Sequence, residues 1–178
     1  MRKNAILIGL TLLISPGVAQ AQSFELYGSG GPTVTDAGNS FAVGAGFSPA
    51  PYLTLAFSFD RTHISSRTTR TPDSVSSFRG GTLFLGTGEV RVSPFARHRV
   101  RPFGLVGFAA GISRPNVNEV FQDRITNPVR AMVVGGSIEV PLDEHFAIFA
   151  DGRMLFGAEG TEGIVAVAPI RAGVAWRF

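Results

Sequence analysis

The stretch "IRAGVAWRF", residues 170–178, ends the chain. Ile170, Ala172, Val174, Trp176 and Phe178 recur at every second position. Arg171, Gly173, Ala175 and Arg177 lie between them. A period of two is that of an extended strand, whose side chains alternate between faces. One face of this segment is apolar and ends on two aromatic rings; the other carries two arginines. The fold turns on which of these faces meets water.

The same alternation recurs upstream. In "YLTLAFSFDR", Leu53, Leu55, Phe57 and Phe59 oppose Thr54, Ala56, Ser58 and Asp60. In "SFAVGAGFS", Phe41, Val43, Ala45 and Phe47 oppose small residues. In "HFAIFADGRMLF", Phe146, Ile148, Ala150, Met154 and Phe156 oppose His145, Asp151 and Arg153. "AMVVGGSIEV" and "LFLGTGEVRV" set Met132, Val134, Ile138, Phe84, Val90 and Val92 against Glu139, Glu89 and Arg91. Eight β-like segments follow: 23–31, 39–48, 51–62, 78–92, 99–113, 128–140, 144–157 and 164–178. Both faces of the segment at 99–113 are apolar or small, so its orientation stays open.

Bulk therefore gathers on one face; small residues and charges gather on the other. Charged residues are only 16% of the chain, against about 25% in globular domains, and the mean hydropathy is +0.22. No charge-free apolar run after the first residues approaches the roughly 18 a membrane helix needs. A closed barrel is the other structure that satisfies every backbone group in lipid. The connections alternate as barrel connections do. "SPAP", "SPFARH" and "PLDE" are tight, whereas "PTVTDAGN", "HISSRTTRTPDSVSS", "RPNVNEVFQDRITN" and "AEGTEG" are generally longer and more polar. The expected fold is all-β, an eight-stranded antiparallel up-and-down transmembrane barrel with the bulky face toward lipid. Its inner face would carry Glu25, Asp60, Glu89, Arg91, Glu139, Asp151, Arg153, Arg171 and Arg177. Eight strands leave an interior that side chains can fill, so these nearly balanced charges predict a plug rather than a channel.

The start of the chain has a different character. "MRKNAILIGLTLLISPGVAQAQ" has a basic start, an apolar run, Pro16-Gly17 and then Ala19-Gln20-Ala21, the pattern of a secretory signal peptide. The expected division is 1–21 as signal peptide and 22–178 as barrel domain. Of the 16 lysines and arginines, Arg2 and Lys3 leave with it, so 14 basic residues face 13 acidic ones. That near-neutral balance and the export signal exclude nucleic acid as a partner. Every remaining basic residue is arginine. The absence of cysteine excludes disulfides and thiol chemistry.

The terminal strand, with alternate apolar residues at Val174 and Trp176 and a final Phe178, resembles the C-terminal assembly signal of bacterial outer-membrane proteins. The mature chain is similar to the small eight-stranded family that includes the OmpA membrane domain, OmpX and the opacity-type adhesins. "RPFGLVGFAAGIS" (Arg101 to Ser113) looks like that family's Gly-rich central strand. The resemblance implies a monomer in the bacterial outer membrane, delivered by the barrel-assembly machinery and surrounded by outer-membrane lipids and lipopolysaccharide. It implies no cofactor.

Three groups could carry chemistry. His63, Ser65, Asp73 and Ser74 fall in or beside the longest connection and supply the residue types of an acyl-transfer site. "HIS" superficially resembles the His-x-Ser motif of lipid A deacylases, but it sits in the wrong region and lacks the following Asn. A palmitoyltransferase would have an N-terminal amphipathic helix, which is not seen. Arginines near the expected outer rim (Arg61, Arg67, Arg70, Arg79, Arg114, Arg124 and Arg130) could contact lipopolysaccharide phosphates, because guanidinium binds phosphate bidentately. "RHRVR" (97–101) is a basic patch on an expected periplasmic turn. No metal-ligand cluster is present. The reading is a non-enzymatic barrel with an envelope or surface-interaction role. The alternatives are a narrow pore or path for small apolar molecules, a lipid A-modifying enzyme, and a soluble lipocalin-like binder with inverted faces.

Overall fold

The computed structural model describes residues 23–34, 37–71, 74–78, 80–95, 98–117, 126–160 and 163–178; at 67–71, 74–78 and 163–164 it describes the backbone course without the side chains. The expected signal peptide lies outside the described residues. All regular elements among the described residues are strands: β1 (Ser23–Thr33), β2 (Gly38–Ala50), β3 (Leu53–Ile64), β4 (Arg67–Thr71), β5 (Ser74–Phe78), β6 (Gly81–Val92), β7 (Arg101–Pro115), β8 (Asn127–Pro141), β9 (Phe146–Glu159), β10 (Gly163–Val167) and β11 (Ile170–Arg177).

Eight staves close into a ring, each antiparallel to its neighbours. Its order is β1, β2, β3, β6, β7, β8, β9 and then β10 with β11; β11 pairs back onto β1. The last stave was expected unbroken over 164–178. It divides at Ala168-Pro169, since proline brings no N–H to a ladder. Both halves pair with β9. The expected long connection between the third and fourth staves contains a separate hairpin, β4–β5, which pairs only with itself.

The alternation decides the faces. Along β3, Thr54, Ala56, Ser58 and Asp60 are buried while Leu55, Phe57 and Phe59 are exposed. Burial also orients β7: Leu105 and Ala109 point inward, Val106 and Phe108 outward. The outward side chains form an apolar band around the barrel. At the end carrying Ser23, Phe178 and the tight turns, Phe47, Phe24, Phe178, Trp176 and Phe146 make a chain of ring contacts with centroids 4.9–6.5 Å apart. The backbones of Phe24 and Phe178 exchange two hydrogen bonds of 3.1 and 3.0 Å there, so the last residue fastens the first stave to the last. At the same end, the Asp143 carboxylate accepts N–H bonds of 2.7 Å from His145 and from Phe146. These bonds fix the turn into β9 and hold that carboxyl below its ordinary range.

Candidate functional site

The interior is filled in two layers. Toward the long connections it is apolar: Ile64, Leu83, Leu85, Val129, Val133 and Leu155 belong to one buried cluster. This departs from the expectation that the inner face holds only small and charged residues. A leucine fits either face of a strand, so alternation alone does not assign it.

Below this cap lies a continuous chain of ion pairs. Arg171 bonds Asp60 and lies 3.2 Å from Asp151. Asp151 meets Arg153 at 3.0 Å, and Arg153 meets Glu89 at 2.6 Å. Glu89 meets Arg91 at 2.7 Å, and Arg91 meets Glu25 at 3.1 Å. Glu25 meets Arg177 at 3.4 Å, and Arg177 bonds Glu139. Arg101, 3.7 Å from Glu139, ends the chain at the tight-turn mouth. Five carboxylates and five guanidiniums alternate, so every inner member has opposite charge on both sides. Arg101 belongs by sequence to the basic "RHRVR" patch, outside the expected inner set. It stands at the first residue of β7, where a strand boundary decides whether a side chain faces the lumen.

Charges buried this deeply are tolerated only when paired and hydrogen-bonded. The Arg153 and Glu89 side chains are 2% and 0% exposed. Arg91 also lies over the Tyr27 ring, 4.4 Å from its centroid, and Tyr27 packs edge-on against Phe149. β2 contributes no charge to the chain. Its glycines make room instead: a Cβ at Gly44 would lie 2.6 Å from the Tyr27 hydroxyl, and one at Gly46 2.8 Å from the Glu25 carboxylate. The void left among these groups is about 20 Å³, enough for about one water.

The weak catalytic candidates are not brought together. His63 lies on β3, with its Nδ1 3.1 Å from Thr82 Oγ1. Ser65 is exposed beyond the strand end, its backbone N–H bonded to Ala37 O. Among the described residues no hydrogen bond links His63 with Ser65. Asp73 lies outside the described residues, as does the side chain of Ser74. No group of described residues could hold a metal ion.

Arg61, Arg114 and Arg130 are exposed on β3, β7 and β8, pointing outward in the half nearer the long connections. Arg114 stacks over Phe84 at 5.4 Å. None of the three has a carboxylate partner among the described residues, whereas every luminal arginine has one. Arg67 and Arg70 lie on β4 with side chains outside the described residues; Arg79 and Arg124 lie outside them altogether.

No protein-family model matches the chain, and no curated protein matches it in sequence. Its fold is nevertheless that of solved outer-membrane barrels. It is similar to the N-terminal β-barrel domain of Pseudomonas aeruginosa OprF (TM-score 0.64, 14% identity, 89% of this chain and 98% of that one). It is also similar to Neisserial surface protein A (TM-score 0.62, 12% identity, 88% and 96%). A third similar structure is Ail, the attachment invasion locus protein of Yersinia pestis, crystallised with the heparin analogue sucrose octasulfate (TM-score 0.54, 13% identity, 88% and 98%). The chain thus has the fold of the eight-stranded outer-membrane barrels.

Proposed function

We propose that this chain is a non-enzymatic integral outer-membrane barrel that serves as a closed scaffold. It displays its long connections for surface interaction and touches lipopolysaccharide through its outer-rim arginines. The observation that carries this reading is the sealed lumen. Ten charged side chains in one ion-pair chain lie under an apolar cap with a void of about 20 Å³ among them, and the wider recess of about 360 Å³ at the tight-turn mouth ends against Thr54, Phe103 and Arg177. A pore needs a continuous aqueous path, and a path for small apolar molecules needs a gap in the same filling. The exposed Arg61, Arg114 and Arg130, without carboxylate partners among the described residues, support the contact with polyanions. The similar barrel Ail was crystallised with a sulfated sugar, which supports the same chemistry at such a surface.

The test is electrical. Purified protein inserted into planar bilayers gives no stepwise conductance above the bare membrane. Reproducible single-channel openings, abolished by a bulky residue at the Arg101 mouth, would replace the scaffold reading with the pore. The outer-membrane assignment is checked separately: the mature chain sediments with outer membranes and needs detergent for extraction.

A further inference from the structure

On the outer wall, β2, β3, β6 and β7 enclose an open groove of about 440 Å³, within the roughly 300–1,000 Å³ range of small-molecule sites. Phe41, Val43, Phe59 and Phe84 form its sides, and Gly86 and Ala110 its floor. Register explains the hollow. Phe59 faces Gly86 across one ladder and Gly86 faces Ala110 across the next, so two small residues stand side by side where neighbouring rows carry rings. Arg61 pairs with Phe84 one row further toward the long connections, and Arg114 stacks over that ring. Arg130 pairs with Ala110 at the far side of the floor.

Arg61 thus lines this apolar groove, Arg114 stacks on one of its rings and Arg130 stands in register beside its floor, none with a carboxylate partner among the described residues. The height of Arg61 fits a membrane interface. Arg61 is eight residues along β3 from Leu53 at the tight-turn end, which at about 3.3 Å per residue and a tilt of about 40° is roughly 20 Å of a span about 25 Å tall. Arginine stems at that level can lie on apolar surface while their heads reach the headgroups. An apolar trough below several unpaired cations is complementary to a lipid that carries acyl chains and more than one phosphate.

We propose that this groove is a specific lipid site. It holds one acyl chain of a multiply phosphorylated glycolipid of the outer leaflet, with Arg61 and Arg114 on a phosphate and Arg130 flanking the chain. The proposal rests on the outer-membrane reading above and deepens it, from general contact at the rim to a defined site with a defined occupant. The fold itself does not require the hollow. The nearest atoms to a Cβ at Gly86 would be those of the Phe57 ring at 3.5 Å and Ala110 O at 3.8 Å, ordinary contacts. A side chain there is accommodated by the barrel and fills the groove.

The experiment adds bisphosphorylated lipid A, its dephosphorylated form or phosphatidylglycerol to the full-length mature protein in detergent micelles. Native mass spectrometry counts the lipid retained. The variants are Gly86→Leu, Ala110→Leu and Arg61→Gln combined with Arg114→Gln, each checked for the folded, heat-modifiable gel band. The wild-type protein retains one lipid A. Filling the groove by either substitution weakens retention about tenfold or more. So does removal of the two guanidiniums or of the phosphates, since the charge-assisted hydrogen bonds between them are lost. Should Gly86→Leu not fold, Ala110→Leu carries the test from the neighbouring strand. Wild-type retention by both filled variants, with loss only in the arginine variant, would overturn the groove while leaving rim contact standing. Equal retention of phosphatidylglycerol would overturn the glycolipid as occupant. Failure of the wild-type protein to retain lipid A would overturn the site and the rim contact together; membrane fractionation decides the outer-membrane reading independently.

Discussion

Arg153 holds two carboxylates, Glu89 at 2.6 Å and Asp151 at 3.0 Å, and has almost no exposed surface. Its truncation would leave the buried Glu89 and Asp151 each one partner short, with Arg91 and Arg171 alone to balance them. Removing one partner of a buried pair costs about 3–5 kcal/mol. Arg101 makes one pair at 3.7 Å, and its side chain is 30% exposed. Solvent can replace it, and exposed pairs contribute about 0–1 kcal/mol. Arg153→Ala should therefore lower the urea midpoint of the micelle-bound barrel strongly, and Arg101→Ala by little. Equal shifts would mean that the ion-pair chain does not act as a linked unit. The contrast also shows what the sequence could say at this scale. A charge in the middle of an alternating strand has only one tolerable direction, because lipid excludes it, so Glu89, Asp151, Arg153 and Arg171 were legible as luminal. Arg101 sits between a turn and a strand and follows three other basic or apolar turn residues. No alternation surrounded it to decide its face. The rim groove was hidden for a different reason: it is made by registry between β3, β6 and β7, and registry is a property of pairs of strands.

At the scale of the element, the terminal strand has two tasks. Its inner face supplies Arg171 and Arg177 to the ion-pair chain. Its outer face continues the aromatic band, and Phe178 is clamped to Phe24 by two backbone hydrogen bonds and ring contact at 6.4 Å. Phe95 is an aromatic residue at the same end of the barrel, but among the described residues its ring meets one other ring, that of His98, edge-on at 5.5 Å, on an exposed turn. Aromatic pairs add about 0.5–1.5 kcal/mol beyond their buried area. Phe178→Ala should thus lower stability in micelles by about 1–2 kcal/mol and slow insertion into lipid vesicles, while Phe95→Ala changes either by little. Identical insertion kinetics would count against Phe178 as the residue that completes closure and serves as an assembly signal. The period of two made this strand readable from its last nine residues. It did not reveal the break at Pro169 or the β4–β5 hairpin. The break needs the fact that β9 is long enough to pair with two successive strands. The hairpin is five residues a side, rich in serine and threonine, and has no apolar face to signal it.

The whole molecule separates into parts that depend on one another unequally. The barrel wall and its filling are inseparable, since every stave except β2 contributes a charge to the ion-pair chain and β2 contributes the space that Tyr27 and Glu25 occupy. The two fillings also divide the lumen by chemistry, with the charged chain reaching the tight-turn mouth and the apolar cap lying under the long connections. That cap keeps solvent on the loop side from the ion pairs, so loop chemistry can vary without disturbing them. The hairpin is the clearest case. β4 and β5 pair only with each other. The base of their connection is tied down separately: Ser66 Oγ accepts from Gly80 N at 3.3 Å and from Asn116 Nδ2 at 3.1 Å, and Asn116 Nδ2 also donates to Ile64 O. Replacing 67–79 by a short Gly-Ser link keeps those ties and removes only the hairpin. Loop-closure entropy changes slowly with length, so the unfolding free energy should move by no more than about 1 kcal/mol and the heat-modifiable band should persist. The same deletion removes Arg67, Arg70, Asp73 and Ser74 at once. Retained folding together with lost adhesion to a polyanion-coated surface would place interaction in the loops and stability in the barrel. A shortened chain that no longer inserts or folds would show instead that the hairpin is part of the barrel's own construction.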